Sequence, residues 1–150
     1  MFMWLEAIGK LLLSALLGGI IGWEREKQHK PAGFRTVMLV SLASTIYVMS
    51  ATFAAERSGE ALDVVRAMAG IAQGIGFLGA GVILQSRAEV RWLTTAASLW
   101  AAAAIGYAVG VGVWEVAVLA CALVFIILHW MGKLADRWIR SENSHPPSNH

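Results

Sequence analysis

A chain of 150 residues that is 57% hydrophobic and only 15% charged is too apolar for a water-soluble domain, which is near half apolar and about one quarter charged. Its mean hydropathy of +0.61 points to the bilayer as solvent, and its net charge of +2 is too small for nucleic-acid binding. Cys121 is the one cysteine, so an intrachain disulfide is excluded. It lies in VAVLACALVF without Cys or His at zinc spacing and reads as a packing residue.

The first apolar stretch predicts a membrane helix over about 4–23. Glu6 and Lys10 lie in its opening turns, spaced to pair at i,i+4. No basic residue precedes the apolar core and no A-x-A site follows, so a retained span is expected rather than a cleaved leader. Ser14, Gly18 and Gly22 repeat every four residues, a small-xxx-small row suited to close helix approach.

GWEREKQHKPAGFRT follows, residues 22–36, the densest chemistry in the chain. Glu26 continues the small-residue row by one step and is expected to face protein, paired with Lys30 at i,i+4. Pro31 and Gly33 are expected to end the helix, leaving Arg35 and Thr36 at the start of the next. Positive residues such as Lys27, His29 and Lys30 suit a cytoplasmic anchor, whereas Glu24 and Glu26 add charge that topology does not need. Two carboxylates here could hold a hydrated magnesium ion, the one metal site the sequence offers. Ion pairs with Arg35, Arg87 or Arg91 are the favoured reading, because buried charges are usually paired.

Helix two is expected over 36–55, which carries no charge, and helix three over 67–84, opened by Arg66. Within it GIGFLGAG, residues 74–81, has the G-x-G-x-x-G spacing of a dinucleotide loop. That loop requires a preceding strand and an acid about 20 residues on. AMAGIAQ has no strand signature, the corresponding positions are Ala97, Ser98 and Leu99, and Glu89 is too close. No cofactor is expected. The glycines read instead as packing residues. At about 100° per residue, Gly70, Gly74 and Gly81 share one face and Ala72, Gly76 and Gly79 the opposite one, predicting helix three as the centre of the bundle. A break in this helix that lines a path is the open alternative.

Helix four is expected over 92–113, preceded by Arg91, with Thr94 as a candidate N-cap, Thr95 beside it, and a ladder of Thr94, Ser98, Ala102, Gly106 and Gly110. Helix five is expected over 115–132, with His129 near its end, followed by a polar, proline-bearing tail over 133–150 that reads as disordered. Trp4, Trp23, Trp92, Trp114 and Trp130 bracket these spans as interfacial belts, while Trp100 falls mid-span. The fold class is therefore an all-α polytopic membrane protein, one domain of five transmembrane helices over 1–132. Arg25, Lys27, Lys30, Arg35, Arg87, Arg91, Lys133, Arg137 and Arg140, nine in all, fall on one side against Lys10, Arg57 and Arg66. The bias predicts the amino terminus outside and the tail in the cytoplasm. No span carries an ionisable residue near its centre, and no Ser-His-Asp, H-E-x-x-H or paired-carboxylate arrangement supports an enzyme.

Three segments, GGIIGWEREKQHKPAGFRTVMLV, RAMAGIAQGIGFLGAGVIL and VRWLTTAASLWAAAAIGYAVGVG, covering about 15–113 in order and spacing, resemble the MgtC/SapB family of bacterial inner-membrane proteins. The resemblance implies a five-helix module whose signature maps to Glu24, Arg25, Glu26, Ala32, Gly33, Arg35 and Thr36, with Arg66, Gly74, Gly76, Gly79, Gly81, Thr94 and Thr95 from the later segments. Val37 stands where members often carry histidine and Trp92 where glycine is common; longer members carry a soluble domain after the last helix, where a short polar tail is expected here. By resemblance the protein is a virulence-associated, non-enzymatic regulator in magnesium limitation or intracellular stress. It would act on other membrane proteins, the rotary ATP synthase among them. The alternative is a magnesium or proton transporter with Glu24 and Glu26 at its cytoplasmic mouth. Two-sided glycine faces also suggest a homo-oligomer, a dimer first.

Overall fold

The computed structural model describes residues 2–59, 63–84 and 91–131; the expectations for Arg87, Glu89 and the tail lie outside these residues. The described residues form five helices and no strand: α1 (Phe2–Lys27), α2 (Phe34–Ser58), α3 (Val64–Leu84), α4 (Leu93–Val111) and α5 (Trp114–Ile126), the last running into a π-helical turn over Ile127–Met131. All five are long and apolar enough to cross a membrane.

Backbone chemistry sets the ends. α1 stops at Lys27 because His29 takes a left-handed conformation (φ 53°). The Lys30 amide then reaches back to the Arg25 carbonyl (3.1 Å) and the His29 amide to that of Glu26 (2.9 Å), a Schellman closure before Pro31 is reached. Gly112 (φ 91°) closes α4 in the same way, with Val113 N donating to Ala108 O (3.0 Å) and Gly112 N to Val109 O (3.1 Å). α5 starts two residues later, so the two helices are antiparallel neighbours. At the start of α3, Asp63 accepts the Arg66 amide (2.9 Å) and its guanidinium (3.2 Å), an N-cap with a surface ion pair. The Arg66 amide, aided by its guanidinium, holds the Asp63 carboxyl below the usual carboxylate range.

The centre of the bundle is α4, not α3. Over half of the α4 span is buried (56%) against 11% of α3, and α4 touches each of the other four helices. A Cβ on Gly106 would collide with the Ser41 carbonyl, and one on Gly110 would lie 2.8 Å from Val48 Cβ, so both glycines let α2 lie directly on α4. On the other side of α2, a Cβ on Gly18 would be 2.7 Å from Ser41 Cβ and one on Gly22 2.8 Å from the Phe34 backbone. Where these three helices meet, the buried Thr45 hydroxyl donates to the Gly106 carbonyl (2.7 Å). That uses its one proton, so Ser14, 2.7 Å away, donates to Thr45. Ser41, 3.0 Å from Ser14, completes the relay.

The expected role of helix three is corrected by the same contacts. A Cβ on Gly70, Gly74, Gly76 or Gly81 would meet nothing within 4 Å, and one on Gly79 only the Ala96 methyl at 3.5 Å. The physical reason is that Gly106 and Gly110 of α4 already face α2, so α3 docks on a different side of α4 through Ile75 and Gly79 and touches α2 only sparsely. A cleft of about 770 Å³ remains between α2 and α3, lined by Leu39, Ala43, Tyr47, Gly70, Gly74 and Leu78 among others. α3 runs unbroken through Gly74–Gly81, which removes the broken-helix alternative. Trp100, half exposed, faces outward.

Candidate functional site

One end of the bundle gathers the last turn of α1, the first turns of α2 and α4, and the π-helical turn after α5. Consecutive residues Glu24, Arg25 and Glu26 are each sent to a different neighbour by the ~100° step of the helix. Glu24, 4% exposed, accepts from Gln28 Nε2 (2.7 Å) and faces His129 Nδ1 at 3.0 Å. Gln28 also donates to the Leu128 carbonyl (3.1 Å), so Gln28 and Glu24 together tie α1 to the π-helical turn. Phe125 stacks on the His129 ring (centroids 5.8 Å apart, 7° between planes), fixing the imidazole from the other side. π-helical turns release carbonyls from the regular ladder and are frequent at functional sites.

Glu26 does not pair with Lys30, as its spacing suggests. The helix has already closed at His29, which takes Lys30 off the α1 surface. The Glu26 carboxylate instead accepts the Phe34 amide (2.6 Å), the first residue of α2. α2 has Gly33 at its N-cap and no side-chain cap of its own, so the preceding helix supplies the carboxylate. A Cβ on Gly33 would sit 2.5 Å from that carboxylate oxygen, which explains a glycine here. The ERE and AGFR segments are thus two halves of one corner. Lys30 lies with Nζ 5.3 Å from the centroid of the Trp92 ring, a cation–π contact, and Trp23 meets Phe34 edge to face at 6.3 Å.

Arg25, 2% exposed, donates from Nη2 to Thr95 Oγ1 at 2.5 Å, joining α1 to the first turn of α4. Thr94 is exposed and does not cap α4; the N-cap position is Trp92, left-handed at φ 66°, with no side-chain cap. Arg35, Thr36 and Arg91 are exposed at this end, and Thr36 also lines the α2–α3 cleft. Arg66 is at the opposite end, exposed and held by Asp63. The Glu24 carboxylate meets His129 rather than Arg35 or Arg91, because the π-helical turn brings the imidazole inward.

The two carboxylates considered for magnesium point to separate protein partners and do not form a shared cradle. Among the described residues no three His, Cys, Asp or Glu side chains gather as a metal site. Sequence reasoning missed Gln28 and the inward turn of His129. Gln28 sits one helical turn after Glu24, a spacing that puts the two on one face; the π-helical turn has no sequence signal of that kind.

The chain matches the MgtC family over residues 11–137. It is 36% identical over 148 residues to protein SrpB of Synechococcus elongatus, covering 91% of this chain and 81% of SrpB. It is 46% identical over 112 residues to protein MgtC of Brucella abortus, covering 75% of this chain and 44% of that protein. It is also 33% identical over 144 residues to an Escherichia coli K12 protein named "Putative magnesium transporter YhiD", covering 93% and 66%. The chain therefore spans less than half the length of the Brucella relative. No solved structure matches it. With the family pattern running through all five apolar helices, the chain belongs to the MgtC family as a multi-pass membrane protein.

Proposed function

We propose that this protein is a non-enzymatic regulator that acts by offering the glycine-bearing flanks of α3 to a helix of another membrane protein. One observation carries the reading: Gly18, Gly22, Gly106 and Gly110 are pressed against neighbouring helices, whereas Gly70, Gly74, Gly76 and Gly81 have no atom of the chain within 4 Å of an added Cβ. Small residues in lipid are useful where another backbone approaches closely, and four glycines on one helix are unused by the monomer. Family membership supports a role in adaptation to magnesium limitation or intracellular stress. A second copy of the chain, giving a homodimer, and the rotary ATP synthase are the partners to test. The Lys and Arg bias supports an inner-membrane orientation with the Glu24–Arg25 end in the cytoplasm.

The test is a pair of variants, Gly74→Leu and Gly76→Leu. Each should keep its thermal midpoint in detergent, because no atom of the chain lies within 4 Å of the added Cβ and the open α2–α3 cleft leaves room beyond Gly74, yet lose support of growth at low magnesium and lose cross-linking to its partner. Unchanged growth support in both overturns the reading. The name carried by YhiD favours a second reading, an ion transporter. Purified protein in liposomes that conducts magnesium or protons, with flux lost in Glu24→Gln/Glu26→Gln, establishes transport instead.

A further inference from the structure

Two polar side chains near the middle of the membrane have no partner within the chain. Ser44 of α2 is 3% exposed and lines the α2–α3 cleft, and among the described residues its hydroxyl makes no hydrogen bond. Other hydroxyls of α2 do. Ser41 and Thr45 join the relay with Ser14, and Thr52 donates back to the Val48 carbonyl (3.0 Å), a common resort of hydroxyls in helices. Gln73 of α3 is exposed on the outside of the bundle, and its amide is likewise without a partner among the described residues. An amide left in hydrocarbon is costly, and polar side chains within membrane spans face protein as a rule.

Both groups sit at one depth. The cleft is lined from Thr36 to Ala51 on α2 and from Arg66 to Leu78 on α3, and consecutive spans cross the membrane in opposite directions. Ser44 is halfway along the first wall and Gln73 just past halfway along the second, so about one helical turn or less separates their levels. Lipid satisfies neither at that depth, because the hydrocarbon core offers no hydrogen-bonding atoms. A side chain from another helix does, and an amide, which both donates and accepts, suits a hydroxyl in either role.

Resting on the reading of α3 as a contact surface, we infer that a second copy of this chain docks there about a two-fold axis, each Gln73 amide entering the other copy's α2–α3 cleft to hydrogen-bond Ser44. The backbone of α3 sets this arrangement. Seen down the helix, Gln73 lies ~60° to one side of Gly70 and Gly74 ~40° to the other. Two α3 helices crossing at Gly70 meet nothing from their own chains, since an added Cβ there has no neighbour within 4 Å. A two-fold axis through that crossing lays the Gln73 side of each helix against the Gly74 side of the other. Gly74 lines the cleft and has no side chain, which leaves the way open to Ser44. The same chain thus carries a projecting amide and a recessed hydroxyl, and the symmetry satisfies both twice. That reciprocity selects a second copy over a lipid or an unrelated helix.

The experiment uses the full chain, labelled at its amino terminus with a donor or an acceptor dye, in vesicles of phosphatidylethanolamine and phosphatidylglycerol. Energy transfer across a series of lipid-to-protein ratios reads the dimer dissociation constant. Wild type should dimerise and dissociate on dilution. Gln73→Leu and Ser44→Ala should each keep wild-type helix content, because neither side chain has a partner within the chain, and each should raise the constant about tenfold, two symmetric hydrogen bonds being lost. The double variant should raise it no further, since both changes remove the same bonds. An unchanged constant in either single variant, or a further tenfold rise in the double, overturns the Gln73–Ser44 contact. Should Gln73→Leu fail to fold, Ser44→Ala decides by the same criterion. No transfer in wild type beyond that of unassociated copies overturns the second copy as partner. The growth test of Gly74→Leu and Gly76→Leu then judges the α3 surface separately.

Discussion

α3 and α4 are both rich in small residues, yet they hold opposite places in the bundle. α3 has five glycines and is the least buried span; α4 has two and is the most buried. The two α4 glycines lie in register with Ser41, Thr45 and Val48 of α2, so each removes a methyl where another backbone passes. The α3 glycines, except Gly79, press on no part of the chain: an added Cβ meets nothing within 4 Å, and Gly70 and Gly74 look across the open cleft toward α2. Glycine count therefore does not locate the centre of a membrane bundle. What locates it is whether the small positions coincide with a partner's backbone. In α4 they are continued by Ala102, Ser98 and Thr95 along the same strip, all buried.

The largest effect that separates the two helices is expected from single methyl groups. Gly106→Ala pushes a Cβ into the Ser41 carbonyl, a backbone atom that cannot swing aside. The cost should be about 3 kcal/mol or more, the upper range of overpacking. Gly74→Ala adds its methyl to open space and should be neutral or slightly stabilising, within about 1 kcal/mol, since alanine favours helix over glycine. Reversible unfolding in mixed micelles measures both. Equal costs would show that α3 is packed within the monomer after all.

The five spans were legible in the sequence because uncharged runs of about 20 residues have few other readings. The observed helices agree with the expected ones to within a few residues, apart from α1 and α2, whose last turns carry charge beyond the apolar run. The close approach at Gly18, Gly22, Gly106 and Gly110 was legible as well, since four-residue spacing keeps small residues on one face. The placement of α3 was not, because periodicity states which residues share a face and says nothing about which helix lies opposite. At the charged end, the importance of Glu24, Arg25 and Glu26 could be read from the density of charge. Their partners could not. A left-handed His29 redirects Lys30, a π-helical turn redirects His129, and neither departure from regular helix has a compositional marker.

A smaller effect should come from Thr45→Val, which keeps the shape of the side chain at the α2–α4 contact and removes its hydroxyl. The Gly106 carbonyl keeps its helical bond, while Ser14 loses an acceptor for its proton. Side-chain hydrogen bonds between membrane helices average well under 2 kcal/mol, so a loss of about 1 kcal/mol is expected in the same unfolding assay. A loss as large as that of Gly106→Ala would mean that the polar relay, rather than close backbone contact, holds α2 to α4.

The smallest effect belongs to α3 and depends on pH. Asp63 caps the first turn of this helix at a fully exposed site, and its carboxyl is held below the ordinary value chiefly by the Arg66 amide. A carboxylate whose value is depressed on folding contributes stability that is present above its unfolded value, about 3.9. The contribution is lost as pH falls through the folded value. Acid should therefore fray the amino end of α3 while leaving α4 intact, since α4 has no side-chain cap to protonate. Hydrogen exchange, corrected for the intrinsic pH dependence of amide exchange, reads this directly. Protection in the first turn of α3 should drop between pH 5 and pH 3 (roughly the window set by a depressed carboxylate), and protection in α4 should stay constant. Asp63→Ala should show the frayed level at every pH, with no step. A pH step that persists in Asp63→Ala would move its origin to another carboxylate, and a matching step in α4 would show that the two helices open together rather than separately.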